Sequence, residues 1–96
     1  MRPIYPGEVL REHYLKPLKL GANALSYALH VPAERVNDIV LERRGVTPET
    51  APRLARFFGG DAQSWLNLQQ MLDLKTTELG KAKQIESEIE PLALAA

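Results

Sequence analysis

The feature that most restricts the fold of this chain is a corner between two amphipathic segments in residues 22–44. Leu25 and Leu29 are four residues apart, so a helix places them on one face. Val36 and Ile39 are three residues apart and share the face of a second helix. This spacing predicts two short helices whose apolar faces point inward.

The residues between the two segments suit a tight turn. His30-Val31-Pro32 lies where the chain must change direction. Ser26 is small enough for the second helix to cross the first at close range. These residues predict a helix-turn-helix, although many all-α proteins contain a comparable corner with a purely structural role.

The other helices of this region have predictable ends. We expect a first helix over residues 7–16, ended by Pro17, with Leu18 and Leu20 filling the core from the linker. The second helix, from about residue 22, should stop at His30.

The third helix should open at Pro32, where a missing N–H costs nothing, and run to about Leu41. Gly45 follows it and is free to take a positive φ.

Two more helices complete the domain. Thr47 and Pro48 are typical of an N-cap and a first helical position, and Gly59-Gly60 closes that fourth helix. Asp61 begins the fifth, whose apolar residues lie on more than one side: Trp65, Leu66, Leu68, Met71, Leu72 and Leu74. Such a helix has two neighbours, its own core and a second subunit.

Length and composition limit what kind of protein this chain can be. The chain has 96 residues, enough for one small domain that gains stability from a partner subunit, so we expect a homodimer. Cysteine is absent, which excludes disulfides and thiolate zinc sites. No stretch approaches the ~20 apolar residues of a membrane span, and no signal peptide begins the chain. We therefore expect a cytoplasmic protein without membrane contact.

Charge is distributed unevenly along the chain. Residues 1–60 hold 9 Lys and Arg against 6 Asp and Glu, whereas residues 61–96 hold 3 against 6, so the two parts carry +3 and −3. This asymmetry favours two different partners. We divide the chain into a helix-turn-helix DNA-binding domain, residues 1–74, and an acidic C-terminal extension, residues 75–96. Either a thin amphipathic helix or a partly disordered segment fits the extension.

No residue pattern supports catalysis. There is no nucleophile with a base, no pair of catalytic carboxylates and no phosphate-binding glycine loop. His13 and His30 are 17 residues apart and have no metal-binding partner in the sequence, and His13 is expected to be half-buried. Trp65 among leucines is more typical of a core than of a stacking site. We expect a non-enzyme with no cofactor, no metal and no small-molecule ligand.

Six runs of residues between positions 6 and 74 match one family pattern. They are Pro6-Gly7-Glu8-Val9-Leu10-Arg11-Glu12, Pro17-Leu18-Lys19-Leu20, Arg35-Val36-Asn37-Asp38-Ile39-Val40, Arg44-Gly45-Val46-Thr47, Leu54-Ala55-Arg56-Phe57-Phe58-Gly59 and Ser64-Trp65-Leu66-Asn67-Leu68-Gln69. The sequence resembles the HigA-type antitoxins of the Xre-like helix-turn-helix superfamily.

The resemblance implies an all-α, five-helix, lambda-repressor-like domain with a C-terminal helical extension. It implies a homodimer that binds a palindromic operator in its own promoter and neutralises a cognate, ribosome-dependent mRNA-cleaving toxin. The chain departs from the family where Ser-Gln is usual at Gly21-Ala22, Gly at His30, and an apolar residue at Pro52. These departures concern operator contact and leave the fold expectation unchanged.

The third helix supplies the candidate base-reading face. Because Val36 and Ile39 face inward, the outward residues are Ala33, Glu34, Asn37, Asp38 and Leu41. Asn37 is the best base reader, since its amide matches the N6 donor and N7 acceptor of adenine. The alternative is that Asn37 is a solvated surface residue that contacts no base. Glu34 or Asp38 could accept from a cytosine amino group, or both could pair with neighbouring arginines.

Basic and polar residues beside that helix are candidates for phosphate contact. Arg43 and Arg44 follow the helix, Arg35 flanks it, and Asn23 lies at the start of the second helix. Solvated surface charge is the alternative for all of them. For Arg35, the stem could instead cover the core beside Ile39. A helical module that binds only protein is the competing function for the whole chain.

Overall fold

The computed structural model describes residues 4–93, which form five helices and no strand. Helix α1 comprises three consecutive stretches: Pro6–Leu10, the π-helical Arg11–Leu15, and Lys16–Leu18. The others are α2 (Ala22–Leu29), α3 (Arg35–Val40), α4 (Thr50–Phe58) and α5 (Ala62–Glu88). The predicted all-α, five-helix architecture is confirmed.

The end of α1 differs from its prediction. The helix passes Pro17 and ends after Leu18, where Lys19 is left-handed with φ 54°. Pro17 has no N–H to donate, and it follows directly on the π-helical turn that closes with the Lys16 N–H bonded to the Arg11 carbonyl. Leu18 is 60% exposed, so the prediction that it fills the core was wrong, whereas Leu20 does pack against the core.

The core lies where α1 to α4 meet the first half of α5. Its buried residues are Leu10, Leu15, Leu25, Leu29, Val36, Ile39, Val40, Val46, Ala51, Leu54 and Trp65. Tyr14 joins the core edge, with its ring centroid 4.6 Å from Phe58 and 5.5 Å from Trp65. Trp65 is thus a core residue, as predicted. His13 is exposed, and the prediction of half-burial was wrong because its neighbour Tyr14 takes the inward position.

The corner between α2 and α3 forms as expected, with a later start for α3. His30 ends α2 in the left-handed conformation, at φ 58°, that glycine adopts at lower cost. Pro32 begins a turn rather than the helix, because its carbonyl accepts the N–H of Arg35 at 2.9 Å. The α-helix proper therefore starts at Arg35.

The chain reverses immediately after α3. Glu42, with φ 63°, is the left-handed residue there, so the prediction that Gly45 would supply a positive φ was wrong. A Cβ on Gly45 would instead lie 2.8 Å from the end of the Gln69 side chain, which would have to move to admit it.

The start of α5 follows the sequence signal, whereas α4 begins at Thr50, two residues later than the predicted Pro48, because Pro52 has no N–H to bond the Pro48 carbonyl. Thr47 accepts the N–H of Ala51 through its carbonyl at 2.9 Å and that of Thr50 weakly through Oγ1 at 3.4 Å. Asp61 caps α5 by accepting the N–H of Ser64 at 2.7 Å, and this bond lowers the pKa of Asp61.

Helix α5 continues without interruption to Glu88. Of the two structures that fit the residues after Leu74, a helix or a partly disordered segment, the helix is the one that forms up to Glu88. Every described residue beyond Leu72 is exposed. The division of the chain at residue 74 stays a prediction, since one helix crosses it. In the part of the chain that the structure describes, no helix is long and apolar enough to cross a membrane.

Candidate nucleic-acid interface

The outward face of α3 and its preceding turn is open to solvent. Ala33, Glu34 and Asn37 are exposed, and Leu41 is 49% exposed at the end of the helix. Asp38 is half-buried. The structure therefore brings Asn37 and the N-terminal residues of this segment together on one accessible surface, where a groove of DNA could be contacted.

A buried hydroxyl fixes the start of α3. Ser26 is fully buried and its Oγ accepts the N–H of Val36 at 3.1 Å, while its carbonyl accepts the N–H of Val31 at 3.1 Å. The small residue predicted at the helix crossing thus also satisfies a first-turn N–H of α3, which has no partner within its own helix.

Helix α1 fixes the end of α3. A Cβ on Gly7 would overlap the carbonyl oxygen of Ile39, so α1 approaches α3 as closely as glycine allows. The guanidinium of Arg11 donates to the carbonyl of Val40 at 2.6 Å. Arg11 also pairs with Glu12 at 2.9 Å. Both ends of α3 are therefore held by neighbouring helices.

Glu12 is well placed to keep Arg11 in position. Hydrogen bonds from Lys16 and then Arg11 lower the pKa of Glu12 below its ordinary value of 4.5. These groups are largely solvated, so we assign the cluster an orienting role rather than a stability value.

The loop after α3 presents the two predicted phosphate-binding arginines. The carbonyl of Asp38 accepts the N–H of Arg43 at 2.9 Å and that of Arg44 at 3.3 Å. The side chain of Arg43 lies 3.9 Å from the Asp38 carboxylate and is 69% exposed. Arg44 is exposed, and within residues 4–93 no carboxylate pairs with it. Arg44 is thus the freer cation for a phosphate.

The remaining candidates differ in exposure. Asn23 is exposed in the first turn of α2, facing solvent as a phosphate contact requires. The side chain of Arg35 is only 16% exposed and lies 3.8 Å from Glu49. That placement favours the alternative in which the Arg35 stem covers the core. Asp38 pairs with Arg43 as the sequence allowed, whereas Glu34 stays exposed.

Sequence reasoning missed four residues that position this interface. Gly7 and Arg11 hold the end of α3, Arg53 donates to the carbonyl of Leu29 at 2.8 Å and so caps α2, and Gln69 binds the loop before α4. The family-like runs quoted for the resemblance contain three of the four; Arg53 stands outside them. Their partners lie far along the chain, so no local pattern reveals the contacts.

A second surface lies on α5, beyond the core. Its exposed apolar residues are Met71, Leu74, Leu79 and Ile85, followed by Ile89 just after the helix. Exposed apolar side chains spaced along one helix mark a surface for a protein partner.

Comparison with known proteins gives one consistent result. No protein-family model matches the sequence. The chain is 60% identical over 81 residues to virulence-associated protein I of Dichelobacter nodosus, covering 84% of this chain and 75% of that protein. It is 34% identical over 77 residues to antitoxin HigA-1 of Vibrio cholerae, covering 79% and 71%. The structure of Pseudomonas aeruginosa antitoxin HigA with the higBA promoter matches at TM-score 0.93 and 49% identity, over 96% of this chain and 100% of that one.

Proposed function

This chain belongs to the HigA family of antitoxins, and from that membership we propose that it represses its own operon and neutralises a cognate toxin. The repressor would bind a palindromic operator through α3. The antitoxin would bind a ribosome-dependent mRNA-cleaving toxin. The observation that carries the proposal is the match, over 96% of this chain, to an antitoxin structure that contains its promoter.

The geometry of α3 supports operator binding. Asn37 is exposed at the centre of the face opposite the core, and an Asn amide pairs with adenine in the major groove. Arg43 and Arg44 follow on a loop whose backbone is fixed to Asp38. In this arrangement one side chain selects bases, and the arginines bind phosphates without regard to sequence.

A homodimer follows from the same proposal. A palindromic operator needs two copies of α3 about one DNA turn, ~34 Å, apart. Met71 and Leu74 are exposed on the first half of α5 and offer a surface on which a second copy could pack, since one small core does not cover them.

The toxin contact is assigned to the acidic part of the chain. A protein that cuts mRNA binds a polyanion and carries a basic surface, and residues 61–96 have a net charge of −3. Leu79 and Ile85, exposed on the second half of α5, would supply affinity there, with the carboxylates favouring a basic partner. The chain would act as a binding protein rather than an enzyme.

A module that binds only protein is the second candidate. Glu34 is exposed beside Asn37, and Asp38 uses its charge on Arg43, so the face of α3 is not strongly basic. Such a surface suits weak non-specific DNA binding at most. If the chain does bind an operator, its affinity has to come from base contacts and dimerisation.

A mobility-shift titration separates the two candidates. The probes are DNA from immediately upstream of the gene and the same fragment with its palindrome scrambled, at low salt. We expect a shift with the first probe at protein concentrations that leave the second unbound. No shift by dimeric protein would exclude the repressor and leave the protein-binding module.

Two further experiments address the protein partners. Sedimentation at tens of micromolar should give a dimer, and a monomer at that concentration would contradict the operator geometry. Co-expression with the neighbouring small open reading frame should yield a complex in which the toxin no longer arrests growth. Growth arrest despite co-expression would contradict neutralisation.

A further inference from the structure

One side chain of α5 reaches the loop that follows α3. The Oε1 atom of Gln69 accepts the N–H of Val46 at 2.9 Å, and its Nε2 donates to Asp73 at 2.9 Å. The same side chain fills the space beside Gly45, where a Cβ would come within 2.8 Å of its atoms. Val46 is itself 3% exposed and belongs to the core.

The loop with the two arginines is therefore anchored on both sides. On the α3 side, the carbonyl of Asp38 accepts the N–H groups of Arg43 and Arg44. On the other side, Gln69 holds Val46, two residues after Arg44. The side chains of Arg43 and Arg44 are exposed, so the anchored backbone determines the positions from which these two side chains extend.

We propose that Gln69 is the positioning residue for this loop, so that α5 determines how Arg43 and Arg44 meet the phosphates. This inference rests on the proposed operator binding. Without Gln69 the Val46 N–H loses its acceptor, and the space beside Gly45 opens. The loop then samples more conformations, and each phosphate contact costs more conformational entropy to form.

Three variants isolate the effect. Gln69→Leu removes both hydrogen bonds at similar volume. Gln70→Leu makes the same chemical change at an exposed neighbour and is the matched control. Gln69→Glu combined with Asp73→Asn is the rescue variant, because the new carboxylate still accepts from Val46 and the new amide donates back to it. The rescue variant also leaves the net charge unchanged.

The measurements are amide exchange of residues 43–46 and operator affinity, at a temperature where thermal unfolding shows every variant to be folded. We expect Gln69→Leu to speed exchange at Val46 and weaken operator binding by about two- to tenfold, the range of one typical net hydrogen bond. Gln70→Leu and the rescue variant should resemble the wild type.

A double-mutant cycle distinguishes positioning from general destabilisation. In a background with Arg43→Ala and Arg44→Ala, Gln69→Leu should cost almost no further affinity, because the side chains it positions are gone. An equal loss in both backgrounds, or equal affinities of the Gln69→Leu and Gln70→Leu variants, overturns the inference. If the wild type itself binds no operator, the proposed function fails and the inference fails with it.

Discussion

Ser26 and Val36 form a hydrogen bond of 3.1 Å between a fully buried hydroxyl and the first turn of α3. The bond joins the two helices of the corner at the point where they cross. It replaces an acceptor that α3 cannot supply to its own N-terminal N–H groups. The start of α3 is therefore held by one oxygen atom of α2.

Ser26→Ala should lower the free energy of unfolding by about 1–3 kcal/mol, because the buried Val36 N–H is left without an acceptor. Urea denaturation measures the change. Ser87→Ala, at an exposed position of α5, is the control and should stay within about 0.5 kcal/mol of the wild type. Equal stability of the two variants would mean that the hydroxyl contributes nothing.

Gly7→Ala should destabilise the domain, because its Cβ would overlap the Ile39 carbonyl and push α1 away from α3. Forcing an extra carbon into such a contact typically costs about 1–3 kcal/mol. Gly80→Ala is a matched control with open space around its Cβ, and it should leave the melting temperature of the domain unchanged or slightly raised. Thermal unfolding of both variants measures the difference.

Asn37→Ala should weaken operator binding about ten- to a hundredfold, because a bidentate pair with adenine is worth roughly 1–3 kcal/mol. Binding to random DNA should hardly change. Titrations with operator and random duplexes measure the ratio. An equal loss for both duplexes would show that Asn37 contacts the backbone instead, and Glu34 would be tested next with cytosine exchanged for thymine.

Arg44→Ala should weaken binding to operator and random DNA alike. It should also reduce the slope of log affinity against log salt by about one unit per lost phosphate contact, hence about two units in a dimer. Arg43→Ala should do the same to a smaller extent, because Arg43 already faces the Asp38 carboxylate at 3.9 Å. An unchanged slope for Arg44→Ala would exclude a phosphate contact.

The cap at Asp61 should make α5 sensitive to acid. The Ser64 N–H lowers the pKa of Asp61 below its ordinary value of 3.8, so the folded state favours the carboxylate. This stabilisation is complete above the unfolded pKa and is lost as the pH falls through the folded pKa. Asp61→Asn keeps a good cap but should lose that pH dependence, whereas Asp61→Ala should unfold at a lower temperature at pH 7. Parallel pH titrations of Tm for the Asp and Asn forms provide the comparison.

The acidic extension should carry toxin affinity, since Leu79 and Ile85 are exposed on it. Leu79→Ser and Ile85→Ser should each weaken the complex about tenfold, the effect of exposing one buried aliphatic side chain. Thr76→Ser is the exposed control. Removal of residues 75–96 should have a larger effect, and intact toxin binding after that deletion would place the contact elsewhere.

Local patterns predicted most of the fold. The spacing of Leu25, Leu29, Val36 and Ile39 fixed the corner, because each pair lies within one helical turn. His30 ends α2 in the left-handed conformation, at the position where the family pattern usually has Gly. These features depend on neighbours within a few positions.

The failures involve contacts that are distant in sequence. The role of Gly45 depends on Gln69, whose hydrogen bond to Val46 spans 23 positions, and no short window contains both residues. The π-helical stretch before Pro17 likewise shows no period of its own. The candidate site was predicted at the level of its exposed residues, and the groups that position them emerged only from the packing.

Helix α5 extends about four turns beyond Leu72 with no core beneath it. A helix of that length is marginal in water by itself, so these turns open far more often than the rest of the molecule. A partner that covers these turns keeps them helical. The exchange rate of their amide protons is therefore a direct, label-free measure of the fraction of the protein that is bound at any moment.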